Sequence, residues 1–481
     1  MYFDNSATTR TRREVISVMR RYFRSAYGNP SSVHKKGMAA KAALEIYRER
    51  VAFCLGAESE EIVFTGSGSE GNNTAIHSAL KTTGRNHIIS SRIEHSSIFN
   101  TLERHKDEGV RITYIPVDGV GRYDLNALKV AIDEDTALVS LSYANNEIGT
   151  VQDMPAIVET VKGKDVLLHI DAVQALPYFR FDLRKLGADF VVFSGHKLYA
   201  PKGVGILYRR KQSDFCPLIR GGGQERDHRS GTENVPYIAG ISKALELNDR
   251  EKDRYFHVLK SKRDRIISFV LNHIDGAVLT GDPESRVPNL ASFAVRGINS
   301  KALVRLMAED NVEISSGSAC SSAKDIPSRV LDELKFGEEY VNGSIRISLG
   351  KYNTDREIGK MLTLFKRNVE RLRNNADMIN LESSFISQHE FRDLVTGETE
   401  LQVIDVRPIA QPPLDIEARM EIPLWKLKTS MRMLEKEKPV VVICFDGDLL
   451  ARMAQSSLIK LGFTQVKVLA GGFNAYQNLF M

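Results

Sequence analysis

Six short apolar runs, NHIISS, VRITYIPVD, TALVSLSYANN, DVLLHID, ADFVVFSG and VGILYRR, recur between residues 86 and 210 with helical patterns between most of them. Such runs, separated by stretches of helical period, build a parallel sheet covered by helices on both faces. This part of the chain is thereby restricted to an open α/β architecture. In such sheets ligands collect beyond the carboxyl ends of the strands. Several runs end there in polar residues: SRIEHSS presents His95, SYANNEIGT presents Asn145 and Asn146, LLHIDAVQ presents Asp171 and Gln174, and FVVFSGHK presents Ser194, His196 and Lys197. Polar groups at corresponding strand ends predict one shared pocket.

Composition narrows the partners. The chain has 481 residues, too many for one ordinary core, and its 42% hydrophobic and 26% charged residues are the mix of a soluble globular protein with two or three domains. The net charge of +5 is spread out, with no basic run interleaved with aromatics, so no direct nucleic-acid partner is expected. No apolar run reaches the ~18 to 20 residues of a membrane span. MYFDNSATTR has neither the apolar core nor the flanks of a signal peptide, so a cytoplasmic protein is expected. The cysteines, Cys54, Cys216, Cys320 and Cys444, are far apart and unpaired by any C-x-x-C, which predicts neither a disulfide framework nor a metal site. Cys54 and Cys216 lie in apolar settings and read as small core residues. Cys320, in SSGSACSSA, lies among small residues where an exposed thiol can move toward a substrate.

Lys197 and Asp171, after consecutive strands, supply what pyridoxal 5'-phosphate needs: an amine for its aldehyde and a carboxylate that keeps its ring nitrogen protonated. The stretch TGSGSEGNNTAIHSAL opens a helix whose free N–H groups suit a phosphate, with Gly68 and Ser69 nearest. Ser69, Ser194, His196 and Thr232 are candidates to surround that phosphate, and His95 to stack on the ring and move protons.

Taken together, SGHKLYAPKGVG, HIDAVQ, NNEIG, FDNSATT, GNPSSVH, GGGQERDHRSGTEN and SSGSACSSA resemble the cysteine desulfurases, fold type I enzymes of the class V aminotransferase group, over about residues 1 to 370. The resemblance implies a large domain with a mostly parallel sheet over about 15–255, and a small α/β domain from the N-terminal arm and about 256–370. It implies that Lys197 holds the cofactor, Asp171 its ring nitrogen, Gln174 its phenolic oxygen and His95 its ring face. Gly68, Ser69, Ser194 and His196 would bind the phosphate, with Thr232 reaching across a homodimer interface. Asn146 would lie beside cofactor and substrate, and Arg346 in GSIRISLG would clamp the carboxylate of L-cysteine. Cys320 would be the nucleophile, left as a persulfide when alanine departs, with transient iron–sulfur contact there and no resident metal. The sulfur would pass to an acceptor or scaffold protein for iron–sulfur cluster assembly or thio-modification. A selenocysteine lyase on the same fold is the alternative. Departures from the usual pattern are Ser69 for threonine, Ala200 for glycine and Asp227 for glycine.

After a linker at 371–382 the α/β pattern restarts. IDVRP, VVVIC and LAGGFNAY give residues 383–481 a resemblance to a rhodanese-like domain, with Cys444 at the position of its sulfur-carrying cysteine. Asp446 and Asp448 stand where such loops often carry arginine. The domain is thus expected to be either a sulfur relay or a docking module.

Overall fold

The computed structural model describes residues 1–317, 328–376, 385–397, 400–407, 419–445 and 449–480. Contacts divide the chain into two compact units, Met1–Ser300 with Val312–Thr363, and Lys301–Asn311 with Leu364–Met481. No described helix is long and apolar enough to cross a membrane.

In the first unit β1 (Ile62–Thr65), β2 (His87–Ser91), β3 (Arg111–Ile115), β4 (Thr136–Ser142), β5 (Leu167–Asp171), β6 (Phe190–Ser194) and β7 (Gly205–Arg209) form one sheet in the order β1-β7-β6-β5-β4-β2-β3. β2, β4 and β6 are buried at every residue, which is why their sequences are continuous apolar runs. From β6 to β3 all pairings are parallel, as expected. The VGILYRR run departs from that expectation: β7 pairs antiparallel with both β6 and β1. The connection from Ser194 to Gly205 falls short of the roughly dozen residues a parallel crossover needs, so the strand turns back.

The helices of this unit include α1 (Arg13–Arg24), α2 (Lys35–Leu55), α3 (Gly68–Thr83), α4 (Ser96–Asp107), α5 (Leu125–Ala131), α6 (Met154–Val161), α7 (Leu183–Leu186) and α8 (Val235–His273). α8 is one continuous helix of 39 residues and runs straight through position 255. A second sheet, antiparallel in the order β10-β11-β9-β8, comprises β8 (Ala277–Leu279), β9 (Leu290–Val295), β10 (Ser315–Ser316) and β11 (Ser344–Ser348).

Residues 2–9 form an arm that turns at Asp4–Thr8 and is bonded to β11 and to the turn after β6. Ser348 N donates to Phe3 O at 2.7 Å and Asn5 N to Ser348 O at 3.2 Å, while Thr9 N donates to His196 O at 2.9 Å. Phe3 is fully buried, so the arm is anchored by apolar burial as well as by hydrogen bonds.

In the second unit β12 (Phe385–Ile386), β13 (Gln402–Asp405), β14 (Arg419–Glu421), β15 (Val440–Ile443) and β16 (Val466–Leu469) form an all-parallel sheet in the order β12-β16-β15-β13-β14. Phe391, Val403 and Ile443 fill its core.

One buried ion pair braces the loop before α8. Arg48 donates through both Nη atoms to the Glu225 carboxylate at 2.6 and 2.8 Å, and Phe64 N donates to the same carboxylate at 2.9 Å. Here Glu225, Arg226 and Asp227 adopt φ values of 49°, 57° and 65°, a left-handed run that side chains resist. This accounts for the glycine usual at position 227. Asp227→Gly is expected to stabilise the protein by about 0.5 to 1 kcal/mol, read as a raised midpoint of chemical denaturation.

Candidate active site

β6 ends at Ser194, and the turn that follows carries Lys197 back toward the arm. Lys197 Nζ donates to Ser6 O at 2.5 Å and to Ala7 O at 2.8 Å, and Gln174 Nε2 donates to Ser6 O at 3.1 Å. His196 Nδ1 lies 3.2 Å from Thr8 Oγ1. Burial, helped by the Lys197 charge, pushes the His196 imidazole down to about 4, so the ring is neutral at physiological pH.

Asp171, the last residue of β5, is 6% exposed. Its carboxylate accepts from Asn72 Nδ2 at 2.8 Å and from Val173 N at 3.0 Å. Both donors are neutral, which leaves the negative charge available to a cation. Before α4, His95 Nδ1 accepts from Ser97 N at 3.1 Å and lies 2.8 Å from Ser97 Oγ. A nitrogen that accepts from a backbone N–H carries no proton, so neutral His95 bears its hydrogen on Nε2.

At the start of α3, Ser67 Oγ accepts from Glu70 N at 3.1 Å and Ser67 O from Gly71 N at 3.2 Å. Helix geometry leaves the N–H groups of Gly68 and Ser69 with no acceptor inside the helix. A Cβ at Gly68 would lie 3.0 Å from Val173 Cγ2 and 3.3 Å from Ser194 Cβ. The absent side chain lets this helix end approach the end of β6, bringing Gly68 beside Ser194.

β11 brings Arg346, which is 2% exposed. Its Nη2 donates to Asp4 Oδ1 and its Nη1 to the Asn146 carbonyl, both at 2.9 Å, while the buried Nε has no partner. The neighbouring Glu147 accepts from Ser328 Oγ at 2.7 Å. Burial raises the Glu147 carboxyl, against the opposing pull of Ser328, Arg346, Arg329 and His95.

Thr232 is exposed in the loop before α8. Cys320, Asp446 and Asp448 lie outside the described residues. Cys54 and Cys216, expected in the core, are only partly buried; Cys54 packs against the main core, whereas Cys216 Sγ accepts from Arg220 Nη2 at 3.3 Å. Cys444 directly follows β15 and is 2% exposed, with its carbonyl accepting from Phe473 N at 2.8 Å.

An amine, a carboxylate with only neutral donors, a glycine-lined helix start and a buried guanidinium with a spare donor match the aldehyde, ring nitrogen and phosphate of pyridoxal 5'-phosphate and the carboxylate of an amino acid. Sequence patterns did not point to Asp4, Ser6, Thr8, Asn72, Ser97 or Glu94 as individual parts of this site.

Residues 1–361 match the Aminotransferase class-V family, and residues 387–479 match the Rhodanese-like domain. Fold and site thus define a class of pyridoxal-phosphate-dependent enzyme with an appended rhodanese-like domain. Among relatives, cysteine desulfurase IscS of Dictyoglomus turgidum is 40% identical over 376 residues, 78% of this chain and 95% of that protein. Cysteine desulfurase 2 of Trichormus variabilis is 39% identical over 396 residues, 81% of this chain and 98% of that protein. A solved NifS-like protein superposes with a TM-score of 0.73 at 37% identity, covering 77% of this chain and 100% of that one. The chain belongs to the class-V aminotransferase family, within its cysteine desulfurase branch.

Beneath the site Glu94, 1% exposed, accepts from Tyr123 OH at 2.5 Å and from Ser142 Oγ. Burial pushes its carboxyl up to about 7, with Ser142 and Tyr123 opposing and Asp171 adding to the rise. The folded state therefore holds this proton after the unfolded state has lost it. The stabilisation is fully present below the ordinary glutamate range of about 4.3 and is lost as pH rises toward 7. Glu94→Gln should flatten that dependence: between pH 4.5 and 7.5 its stability is expected to gain on wild type by about 2 to 3 kcal/mol, as measured by urea denaturation across pH.

Proposed function

We propose that this protein removes sulfur from L-cysteine, releasing L-alanine and leaving a persulfide on Cys320. The observation that carries this reading is the meeting of Lys197 and Gln174 on Ser6 O, with Asp171 at the carboxyl end of β5, in a chain 40% identical to a cysteine desulfurase over 78% of its length. Lys197 would hold pyridoxal 5'-phosphate, with Asp171 at the ring nitrogen, Gln174 at the phenolic oxygen and His95 at the ring face. Gly68, Ser69, Ser194 and His196 would hold the phosphate. When bound, the cofactor withdraws electrons from the substrate carbon frame, which weakens the C–S bond.

Arg346 and Asn146 would position the cysteine. The unpartnered Arg346 Nε supports a carboxylate there, since an anion would satisfy that buried donor. The Cys320 thiolate attacks the substrate sulfur; the S–S bond forms as the C–S bond breaks, and the electron pair stays with the carbon, which takes up a proton to become alanine. His95, with its hydrogen on Nε2, and the Lys197 amine are the groups placed to move protons.

The domains are assigned as 1–370 for the desulfurase, 371–382 for the linker and 383–481 for the rhodanese-like part. The working form is a cytoplasmic homodimer; exposure of Thr232 supports a role across the interface, at the partner's phosphate. The sulfur passes to an acceptor or scaffold protein for iron–sulfur clusters or thio-modification, with Cys444 as a relay. Burial of Cys444 favours the second reading of that domain, as a docking module.

Incubation with labelled cysteine, followed by alanine analysis and peptide mass spectrometry, tests this. Label is expected on Cys320 in wild type and on no cysteine in Cys320→Ser; near-normal alanine from Cys320→Ser without added thiol would reassign the nucleophile. Label on Cys444 only while Cys320 is intact marks the relay. Arg346→Ala should raise the KM for cysteine about 30- to 1,000-fold, the equivalent of losing a charged pair, and an unchanged KM would move the clamp elsewhere.

A further inference from the structure

Asp171 and His95 belong to different parts of the sheet edge, yet one residue of α3 joins them. Asn72 is 1% exposed, and its Nδ2 donates one hydrogen to Asp171 Oδ2 at 2.8 Å and the other to Ser97 Oγ at 2.9 Å. The chemistry fixes this orientation, because an ionised carboxylate only accepts and so must face the NH2 group. The amide oxygen is turned the other way, into a buried position where it has no partner. A buried acceptor left unsatisfied opposes folding. The two bonds made by the NH2 group therefore hold the side chain in place against that cost.

The same arrangement orders Ser97. With its oxygen accepting from Asn72, the hydroxyl hydrogen is directed to His95 Nδ1 at 2.8 Å, the nitrogen that Ser97 N also addresses at 3.1 Å. Donation thus runs outward from Asn72, to Asp171 on one side and through Ser97 to His95 on the other, without conflict.

We propose that Asn72 is a positioning residue that couples Asp171 to His95. It holds the carboxylate in place for the ring nitrogen and, through Ser97, keeps His95 Nδ1 as an acceptor so that the hydrogen on Nε2 faces the site. This rests on the reading of Asp171 and His95 as cofactor-handling residues. A residue that merely filled space beneath the cofactor would have no effect on the ring of His95.

The test uses Asn72→Leu and Ser97→Ala, with Ser97→Thr as the conservative replacement. In cofactor-free protein labelled with 15N-histidine, the His95 ring is assigned by difference against His95→Gln. Asn72→Leu and Ser97→Ala should move the Nδ1 resonance toward that of an imidazole nitrogen with a weaker donor, and Ser97→Thr should restore the wild-type position. In the cofactor-loaded enzyme, Asn72→Leu should lower kcat for alanine release about tenfold or more while the KM for cysteine stays within about twofold, as expected when a charged hydrogen bond is lost away from the substrate clamp. An unchanged Nδ1 resonance, or an unchanged kcat, in a folded Asn72→Leu protein overturns the proposal. If Asn72→Leu does not fold, Ser97→Ala decides alone: a wild-type Nδ1 resonance overturns the coupling. Wild type that releases no alanine defeats the proposed activity instead, and the NMR arm still reports on the coupling.

Discussion

The carbonyl oxygen of Ser6 accepts from both Lys197 and Gln174, and the assembly of this site depends on where that oxygen is held. Ser6 belongs to an arm with no regular structure of its own. Its position is set by Ser6 N donating to Ser348 Oγ at 2.8 Å and by the burial of Phe3. Two residues earlier the same arm supplies Asp4 to Arg346, and two residues later it supplies Thr8 to His196. A single short segment thus sets the spacing between the amine after β6 and the guanidinium on β11. The segment closes on itself in a turn, with Ala7 N donating to Asp4 O at 3.0 Å, so a one-residue slip would uncouple Asp4, Ser6 and Thr8 from their partners together.

Much of this was legible in the chain because it depends on local period. β2, β4, β5 and β6 were marked by apolar runs buried on both faces, and Asp171, Ser194 and Lys197 by the polar residues that end those runs. The direction of β7 was not legible, because an apolar run has the same pattern whichever way it points. Asn72, Ser97 and Glu94 were hidden for a different reason. Each acts through a partner brought near by the tertiary fold, such as Asp171, 99 positions beyond Asn72, and a buried polar residue carries no periodic signature.

The second unit places its own chemistry by similar means. Arg407, following β13, donates through Nε and Nη2 to Asp405 and stacks on Phe473 at 4.1 Å and on Phe445 at 5.6 Å. A buried ion pair is therefore packed against Phe445, the residue after Cys444.

The anchorage of the arm also orders events in time. Ser6 and its anchor Ser348 are 342 positions apart, and Asn5 meets Asn353 across 348. During translation the large sheet, with Lys197 and Asp171 already in it, emerges well before β11 has been made. Until then the arm lacks its anchor on Ser348, and Arg346 does not yet exist. A nascent or truncated chain can therefore own Lys197 and still lack a finished site, so completion of the site reports that the ribosome has passed position 353.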